Sequence, residues 1–111
     1  MSCLLLVVIP LHGQSQHELN AQGRKILEKA DLKLNAVYKK ALAVTPDEKG
    51  VELLRQAQRA WIAFRDAEAM LHADAMRGGS AAPLLFYGRK TQLTRERIKH
   101  LQDHVELHGG R

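Results

Sequence analysis

Thr45-Pro46-Asp47-Glu48 separates two long stretches of helix-forming residues and decides how the chain is divided. Proline is favoured at the first position of a helix, and a threonine hydroxyl just before it can accept hydrogen bonds from the free N–H groups. Glu48, three residues after Thr45, completes a capping box, and its charge suits the positive end of the helix dipole. The sequence therefore predicts that one helix ends near Val44 and that another begins at Pro46.

A second break is Gly78-Gly79-Ser80. Glycine readily adopts the left-handed conformation that closes a helix, Ser80 can cap a following helix, and Pro83 is tolerated in a first turn. Short connections between helices place consecutive helices antiparallel. The predicted fold is therefore an all-α, antiparallel bundle of three main helices over about 16–44, 46–77 and 81–108.

The composition supports a helical domain of ordinary globular type. The chain has 111 residues, 45% of them hydrophobic and 26% charged, which allows one compact core. β-branched and aromatic residues are too sparse to predict strands. Each predicted helix carries an apolar stripe. The residues predicted to face the core are Leu19, Gly23, Ile26, Ala30, Leu34, Val37 and Ala41, then Leu54, Ala57, Trp61, Phe64 and Leu71, then Leu84, Leu85, Leu93, Ile98, Leu101 and Val105.

Residues 1–13, MSCLLLVVIPLHG, contain no charged side chain and hold an unbroken apolar run from Cys3 to Ile9. This run is too short to span a bilayer and matches the apolar region of a secretory signal peptide. The basic residue expected near the start is missing, so either translation starts upstream of Met1 or the segment is a buried helix. We expect a signal peptide over 1–13, truncated at its start, and a single domain over 14–111 exported to the periplasm. That domain would contain no cysteine and hence no disulfide.

The formal net charge is +5, with basic residues concentrated in 14–45 and 77–111 and a mildly acidic middle segment. Such a surface favours anionic partners such as wall polymers or lipid headgroups, although solvated helix faces also carry lysine and arginine for solubility. The basic residues are spread over two helices, and no nucleic-acid-binding motif is recognisable, so nucleic acid is not an expected partner.

Several polar and aromatic motifs occur in a distinctive order along the chain. They are Glu18-Leu19-Asn20, Ala30-Asp31-x-x-Leu34-Asn35-x-x-Tyr38, Gln58-x-x-Trp61-x-x-x-Arg65-Asp66, Gly78-Gly79-Ser80 and Leu93-Thr94-x-x-Arg97. From about residue 17 to 107 the chain resembles the lysozyme-inhibitor LprI-like family of small exported bacterial proteins. The family is named for a lipoprotein that inhibits lysozyme, so the resemblance implies a partner that is a lysozyme or another wall-lytic enzyme. Its motif residues here are Asn35, Tyr38, Gln58, Trp61, Arg65, Asp66, Gly79, Ser80 and Arg97.

Two features depart from that family's pattern. Members commonly carry a pair of cysteines, which implies a disulfide, whereas the corresponding segments here, 67–69 and 86–88, have none. Packing alone must replace a link normally worth about 2–4 kcal/mol. Common lysozymes are also strongly basic and would repel a chain of charge +5 at long range. The acidic cluster Asp47, Glu48 and Glu52 could overcome this repulsion and is one candidate contact. The other is the loop from about Gly78 to Pro83, which could insert into the partner's cleft and whose test residues are Ser80 and Leu84.

The motif residues allow two interpretations. Asn35, Gln58, Asp66 and the two arginines could line a binding groove, or they could form buried hydrogen bonds and one ion pair that set the helix register. We favour the second, with Arg65 or Arg97 bonded to an acidic residue of a neighbouring helix. Likewise, the aromatic residues Tyr38, Trp61 and Phe64 could anchor a partner, but core packing is favoured.

His100, His104 and His108 recur every fourth residue and share one side of the third helix. Such spacing could bind zinc, copper or nickel or respond to acid, but no cysteine or second histidine pair completes a metal site. They are therefore only weak metal candidates, and no metal or cofactor is expected.

No nucleophile or acid–base pair suggests catalysis, so the chain is predicted not to be an enzyme. The expected function is that of an exported binding protein, monomeric or a weak homo-oligomer and not membrane-spanning, that occludes a wall-lytic enzyme. The alternative is a structural or stress-related envelope module that binds anionic wall polymer or lipid through its basic helix faces.

Overall fold

A computed structural model describes residues 15–109, which form three long helices and no strand. The helices are α1 (Gln16–Val44), α2 (Glu48–Ala73) and α3 (Ala82–Gly109), and a 3-10 turn over Asp74–Met76 follows α2. The predicted all-α class and the three helices are confirmed. None of the helices in this part of the chain is long and apolar enough to cross a membrane. The proposed signal peptide, 1–13, lies outside the described residues.

The predicted capping box at Thr45 is wrong, because α2 begins two residues later. Asp47 is its N-cap, and the Asp47 carboxylate accepts a 2.7 Å hydrogen bond from the Gly50 N–H. Thr45 instead ends α1, and its hydroxyl donates to the carbonyl of Ala41 at 2.7 Å. A residue that precedes proline is driven toward extended backbone, which suits the end of a helix.

A capping box does occur, at the start of α1. The Ser15 hydroxyl accepts from the Glu18 N–H at 3.1 Å, and the Glu18 carboxylate accepts from the Ser15 N–H at 2.9 Å. The α-helix of α2 also ends earlier than predicted, at Ala73, since its last turn tightens into the 3-10 turn. Gly78 follows with a φ of 77°, the left-handed conformation predicted for it.

The three helices run up, down and up. Hydrogen bonds from Asn20 to Ser80 and between Thr45 and His104 join the two ends of α1 to the corresponding ends of α3, so these helices are parallel. Both α1 and α2 pack closely on α3, whereas α1 and α2 meet through long side chains. A Cβ atom added at Gly23 would lie 3.0 Å from the Leu84 side chain, which shows how closely α1 approaches α3.

The core is apolar toward the C-terminal half of α1 and α3. Its buried members are Leu34, Ala41, Leu54, Ile98 and Leu101, and the half-buried side chains packed against them are Val37, Tyr38, Leu42, Trp61 and Val105. Leu93 is buried as predicted, and Leu84 and Leu85 are half-buried. Burial of Tyr38 and Trp61 against the core agrees with the interpretation favoured from the sequence.

The inner face of α2 differs from the predicted one. Phe64 is 53% exposed, Leu71 is 69% exposed and Ala57 is also exposed; on α1, Ile26 is 48% exposed. The buried residues of α2 are Leu54, Gln58, Arg65 and Ala69. The helix is thus rotated so that two polar side chains face inward, because α1 and α3 supply hydrogen-bonding partners for them. Hydrophobic periodicity within one helix cannot reveal hydrogen-bonding partners on other helices.

Candidate functional site

Arg65 joins all three helices through one buried guanidinium. Its Nη1 donates to Asp31 on α1 at 2.9 Å and to Thr94 on α3 at 3.2 Å, while its Nε donates to Asp66 at 3.0 Å. The Arg65 side chain is only 9% exposed, whereas the two carboxylates still reach solvent. Asp66 also forms an ion pair with Lys90 on α3, at 3.3 Å. This is the cross-helix ion pair that the sequence predicts for Arg65 or Arg97.

Two guanidinium groups lie close to the Trp61 ring. Arg65 and Arg97 lie 5.2 Å and 5.9 Å from the centre of its ring, within the range of cation–π attraction. The Arg97 Nε donates to the Oε1 of Gln58 at 2.9 Å, and Gln58 is 5% exposed. Burial lowers the pKa of Arg97 from its ordinary value, and the nearby Tyr38 partly opposes that shift. The amide of Gln58 therefore replaces water around a partly desolvated cation.

These contacts define a polar cluster, made up of Asp31, Gln58, Trp61, Arg65, Asp66, Thr94 and Arg97. Within residues 15–109 no buried side-chain nitrogen or oxygen lacks a hydrogen-bond partner. The hydrogen bonds of the cluster hold the helices together, which agrees with the structural interpretation for Gln58, Arg65, Asp66 and Arg97. Asn35, which that interpretation placed among the buried hydrogen-bonding residues, is exposed. Asp31 and Thr94 occur in the quoted motifs but are not among the nine candidate site residues, although Asp31 lies one helical turn before Asn35 and so shares its face.

A groove of about 240 Å³ opens beside the cluster between α1 and α2. It is lined by Asp31, Leu34, Asn35, Tyr38, Gln58, Ile62 and Arg65. Seven motif residues thus lie in or beside one region of the bundle. The other two, Gly79 and Ser80, lie apart from it in the turn between α2 and α3.

The acidic candidates lie together at the turn between α1 and α2. Asp47, Glu48 and Glu52 line a groove of about 620 Å³, together with Arg55. Part of the charge is already engaged, since Glu52 lies 3.6 Å from Arg59 and Asp47 caps α2. We call this region the acidic turn.

Ser80 and Leu84 lie at the opposite end of the bundle. The 26 residues of α2 span about 39 Å at 1.5 Å per residue, so the acidic turn and Ser80 cannot contribute to one compact contact. Ser80 is exposed and its carbonyl accepts from Asn20 at 3.3 Å, whereas Leu84 packs toward Gly23. Of the two loop candidates, Ser80 is the accessible one.

A groove of about 520 Å³ between α1 and α3 is lined by basic residues. Its lining is Ile26, Lys29, Ala30, Lys33, Arg95, Ile98, Lys99 and Gln102. No carboxylate lines it, and none of its four cations forms an ion pair with another described residue. The sequence signal was the repeat of basic residues four positions apart, which puts them on one helix face. We call this surface the basic groove.

The three histidines lie near the C-terminal end of α3. The ring centres of His104 and His108 are 4.4 Å apart, and His104 Nε2 lies 2.9 Å from the Thr45 hydroxyl. Burial lowers the pKa of His104, and the positive charges of His108 and Arg97 lower it further. Across residues 15–109 no three or more histidine, cysteine, aspartate or glutamate side chains are grouped to hold a metal ion. The contact that His104 makes is the hydrogen bond to Thr45 at the end of α1.

Comparison with known proteins agrees with the motifs. An uncharacterized protein of Rhizobium meliloti (strain 1021) is 33% identical over 128 aligned positions, which cover 96% of this chain and 92% of the relative. No solved structure matches the chain significantly. The family model described as "Lysozyme inhibitor LprI" matches residues 11–101, which is most of the sequence, and the chain therefore belongs to the LprI family of lysozyme inhibitors.

Proposed function

We propose that this protein is an exported, non-catalytic inhibitor that binds a lysozyme or a related wall-lytic enzyme in the periplasm and covers its cleft. The observation that carries the proposal is membership of the LprI family over residues 11–101. The helical bundle supports it, because the polar cluster ties three helices together and a rigid surface loses little conformational entropy on binding. No cofactor is required for such a steric mechanism.

The acidic turn is the surface we assign to the partner contact. It places three carboxylates at one end of the bundle, beside an open groove. Opposite charges at close range can overcome the repulsion between a chain of net charge +5 and a basic enzyme, since salt screens charges beyond about 8–10 Å.

The test is a cell-wall turbidity assay with lysozyme, comparing the wild-type chain with the triple variant Asp47→Asn, Glu48→Gln, Glu52→Gln. Asparagine caps helices as well as aspartate does, so α2 keeps its N-cap. We expect the triple variant to weaken inhibition by about tenfold or more, as loss of close charge pairs does. A variant that inhibits as well as wild type would exclude the acidic turn, and a wild-type chain without effect on any wall-lytic enzyme would overturn the proposal.

A matched control separates local from overall charge. Glu28→Gln, Glu96→Gln and Glu106→Gln remove three exposed carboxylates from α1 and α3 and change the net charge by the same amount. We expect this control to lower inhibition much less, because long-range repulsion is screened at physiological salt. Equal losses in both triple variants would mean that net charge, and not the acidic turn, governs binding.

The basic groove favours a second candidate function, binding of an anionic wall polymer or lipid headgroup. The four cations that line it, Lys29, Lys33, Arg95 and Lys99, form no ion pair with another residue of 15–109, and they share the groove with the apolar side chains of Ala30 and Ile98. Changing all four cations to glutamine should abolish sedimentation with purified wall polymer or with anionic vesicles, and wild-type binding should weaken steeply as salt is raised.

The matched control for this function changes four exposed lysines outside the groove, Lys25, Lys39, Lys40 and Lys49, to glutamine. Retained binding by this control would locate the ligand in the groove, whereas equal loss would indicate non-specific attraction to the overall positive charge.

A further inference from the structure

The outward face of α2 carries a continuous apolar stripe that no other part of residues 15–109 covers. Its residues are Leu53, Ala57, Ala60, Phe64, Ala67 and Leu71, spaced by alternating steps of four and three. All six are exposed, and the large ones are half to two-thirds accessible to solvent. Ala63 and the 65%-exposed Met70 widen the stripe. We call this surface the α2 stripe.

The area of the stripe is large for a surface without a partner. At about 200 Å² for a fully exposed large side chain, the four large residues offer on the order of 400–500 Å² of apolar surface. The exposed alanines bring each chain toward the ~800 Å² that one partner buries in a standard interface. A patch of this size is comparable with the largest apolar patch on a typical monomer, and such patches often serve as interaction surfaces.

The pattern of the α2 stripe is complementary to itself when two copies run antiparallel. A two-fold axis midway between Ala60 and Phe64 sets Leu53 opposite Leu71, Ala57 opposite Ala67, and Ala60 opposite Phe64. Each phenylalanine ring thus meets a small residue of the other helix, and the alternation of four and three keeps the seam facing the partner. Two-fold axes of this kind produce closed dimers.

Charge also favours a second copy of the chain as the occupant. Two chains of net charge +5 repel each other over most of their surface, but none of the stripe's residues is charged. The charged residues of α2 beside the core, Arg65 and Asp66, are engaged within the polar cluster. The neutral stripe is where two copies can approach at least electrostatic cost.

We propose that the protein forms an antiparallel homodimer through the α2 stripe. The stripe lies on a different side of α2 from Ile62, which faces the groove toward α1, so pairing leaves that groove open. The antiparallel arrangement directs the two acidic turns to opposite ends of the dimer, so each remains accessible to a partner. The dimer therefore does not depend on the proposed function.

Sedimentation velocity of the full-length chain, from about 1 to about 200 µM, tests the proposal through the concentration dependence expected of a dimer. The single variants Leu53→Glu and Leu71→Lys each place an unpaired charge against a leucine of the second copy. We expect each to weaken dimerisation by about tenfold or more. The far-UV CD spectrum should stay helical, since both positions are exposed.

The double variant, Leu53→Glu with Leu71→Lys, tests the antiparallel arrangement. Positions 53 and 71 are about 27 Å apart within one helix, so the two new charges cannot pair within one chain. In the antiparallel dimer each new carboxylate faces a new ammonium of the second copy, and dimerisation should recover relative to both single variants. A parallel pair would juxtapose like charges, and a double variant that stays monomeric would overturn the antiparallel arrangement.

The matched control is Leu32→Glu, which places the same charge at a similarly exposed leucine on α1. We expect it to leave the dimer unchanged. Two results would overturn the proposal: a wild-type chain that stays monomeric at the highest concentration, or association that persists in both single variants. The second result would locate self-association elsewhere, for instance in the apolar segment 1–13.

Discussion

The Arg65 guanidinium on α2 lies 2.9 Å from the Asp31 carboxylate on α1, and this pair is a direct side-chain link between two helices whose backbones approach little. The same Nη1 also donates to Thr94 on α3 at 3.2 Å. A buried charge is costly unless it is paired, so the three helices must sit where these partners meet. The ion pair thus specifies how α1 and α2 are placed around α3.

This pair should make a measurable contribution to stability. We expect Arg65→Met to lower the free energy of unfolding by about 1–3 kcal/mol and Asp31→Ala by about 1–2 kcal/mol, because each leaves hydrogen-bonding groups unpaired in a partly buried setting. Urea unfolding of both single variants and the double variant should give a coupling energy near 1 kcal/mol. For comparison, the exposed pair Arg59 and Glu52, 3.6 Å apart, should couple by less than about 0.5 kcal/mol. Equal coupling in the two pairs would contradict this.

Two glycines inside helices should respond to alanine in opposite directions. A Cβ atom at Gly23 would lie 3.0 Å from Leu84 and 3.4 Å from Tyr87, whereas one at Gly88 would meet nothing within 4 Å. We expect Gly88→Ala to stabilise the protein by about 0.5–1 kcal/mol through helix propensity. Gly23→Ala gains the same propensity but overpacks the α1–α3 contact, for a net loss of about 1 kcal/mol. Thermal unfolding would separate the two, and a stabilised Gly23→Ala variant would show that α1 and α3 can move apart.

The hydrogen bond from Arg97 to Gln58 should contribute more to the free energy of unfolding than a bond to a neutral acceptor usually does. Gln58→Leu removes the acceptor from a cation whose burial already lowers its pKa, and we expect a loss of about 1–3 kcal/mol. Gln58→Glu keeps an acceptor at the same place and should recover most of that loss. Trp61, the only tryptophan, lies against Arg97 and reports on both variants by fluorescence during unfolding. Equal stability of the leucine and glutamate variants would argue against the hydrogen bond.

Stability should fall in mild acid because of His104. The Thr45 hydroxyl donates its proton to Ala41, so the Nε2 of His104 must be the donor toward Thr45, and protonation does not break that bond. The pKa of His104 is lowered by burial and then by the charges of His108 and Arg97. The unfolded chain therefore binds this proton more readily, and stability present above the ordinary pKa of 6.5 is lost as the pH falls from there toward the folded pKa.

The check is the melting temperature at pH 7.5 and at pH 5 for wild type and for His104→Gln, whose amide can still donate to Thr45. We expect a smaller difference between the two pH values in the variant. His100→Gln, at an exposed position on the same helix, is the control and should retain the wild-type difference. An unchanged difference in the His104 variant would assign the acid sensitivity to other groups.

Helix number and approximate ends could be predicted because the signals are local. Pro46 stops a helix through its ring and missing N–H, and Gly78 accepts the left-handed backbone, so neither depends on distant residues. The sequence predicts the cap of α2 at Thr45, whereas the cap is Asp47. The Thr45 hydroxyl instead bonds to the Ala41 carbonyl and to His104, which comes from the far end of the chain. That contact is not visible in a window of neighbouring residues.

By itself the sequence determined an all-α chain of three helices, the LprI-like motifs, and an ion pair between a motif arginine and another helix. Only the tertiary structure decided the rotation of α2, which buries Gln58 and Arg65 and leaves Phe64 and Leu71 exposed. The physical reason is that burial of a polar side chain depends on its partners, and those partners lie about thirty to forty residues away, on the other two helices.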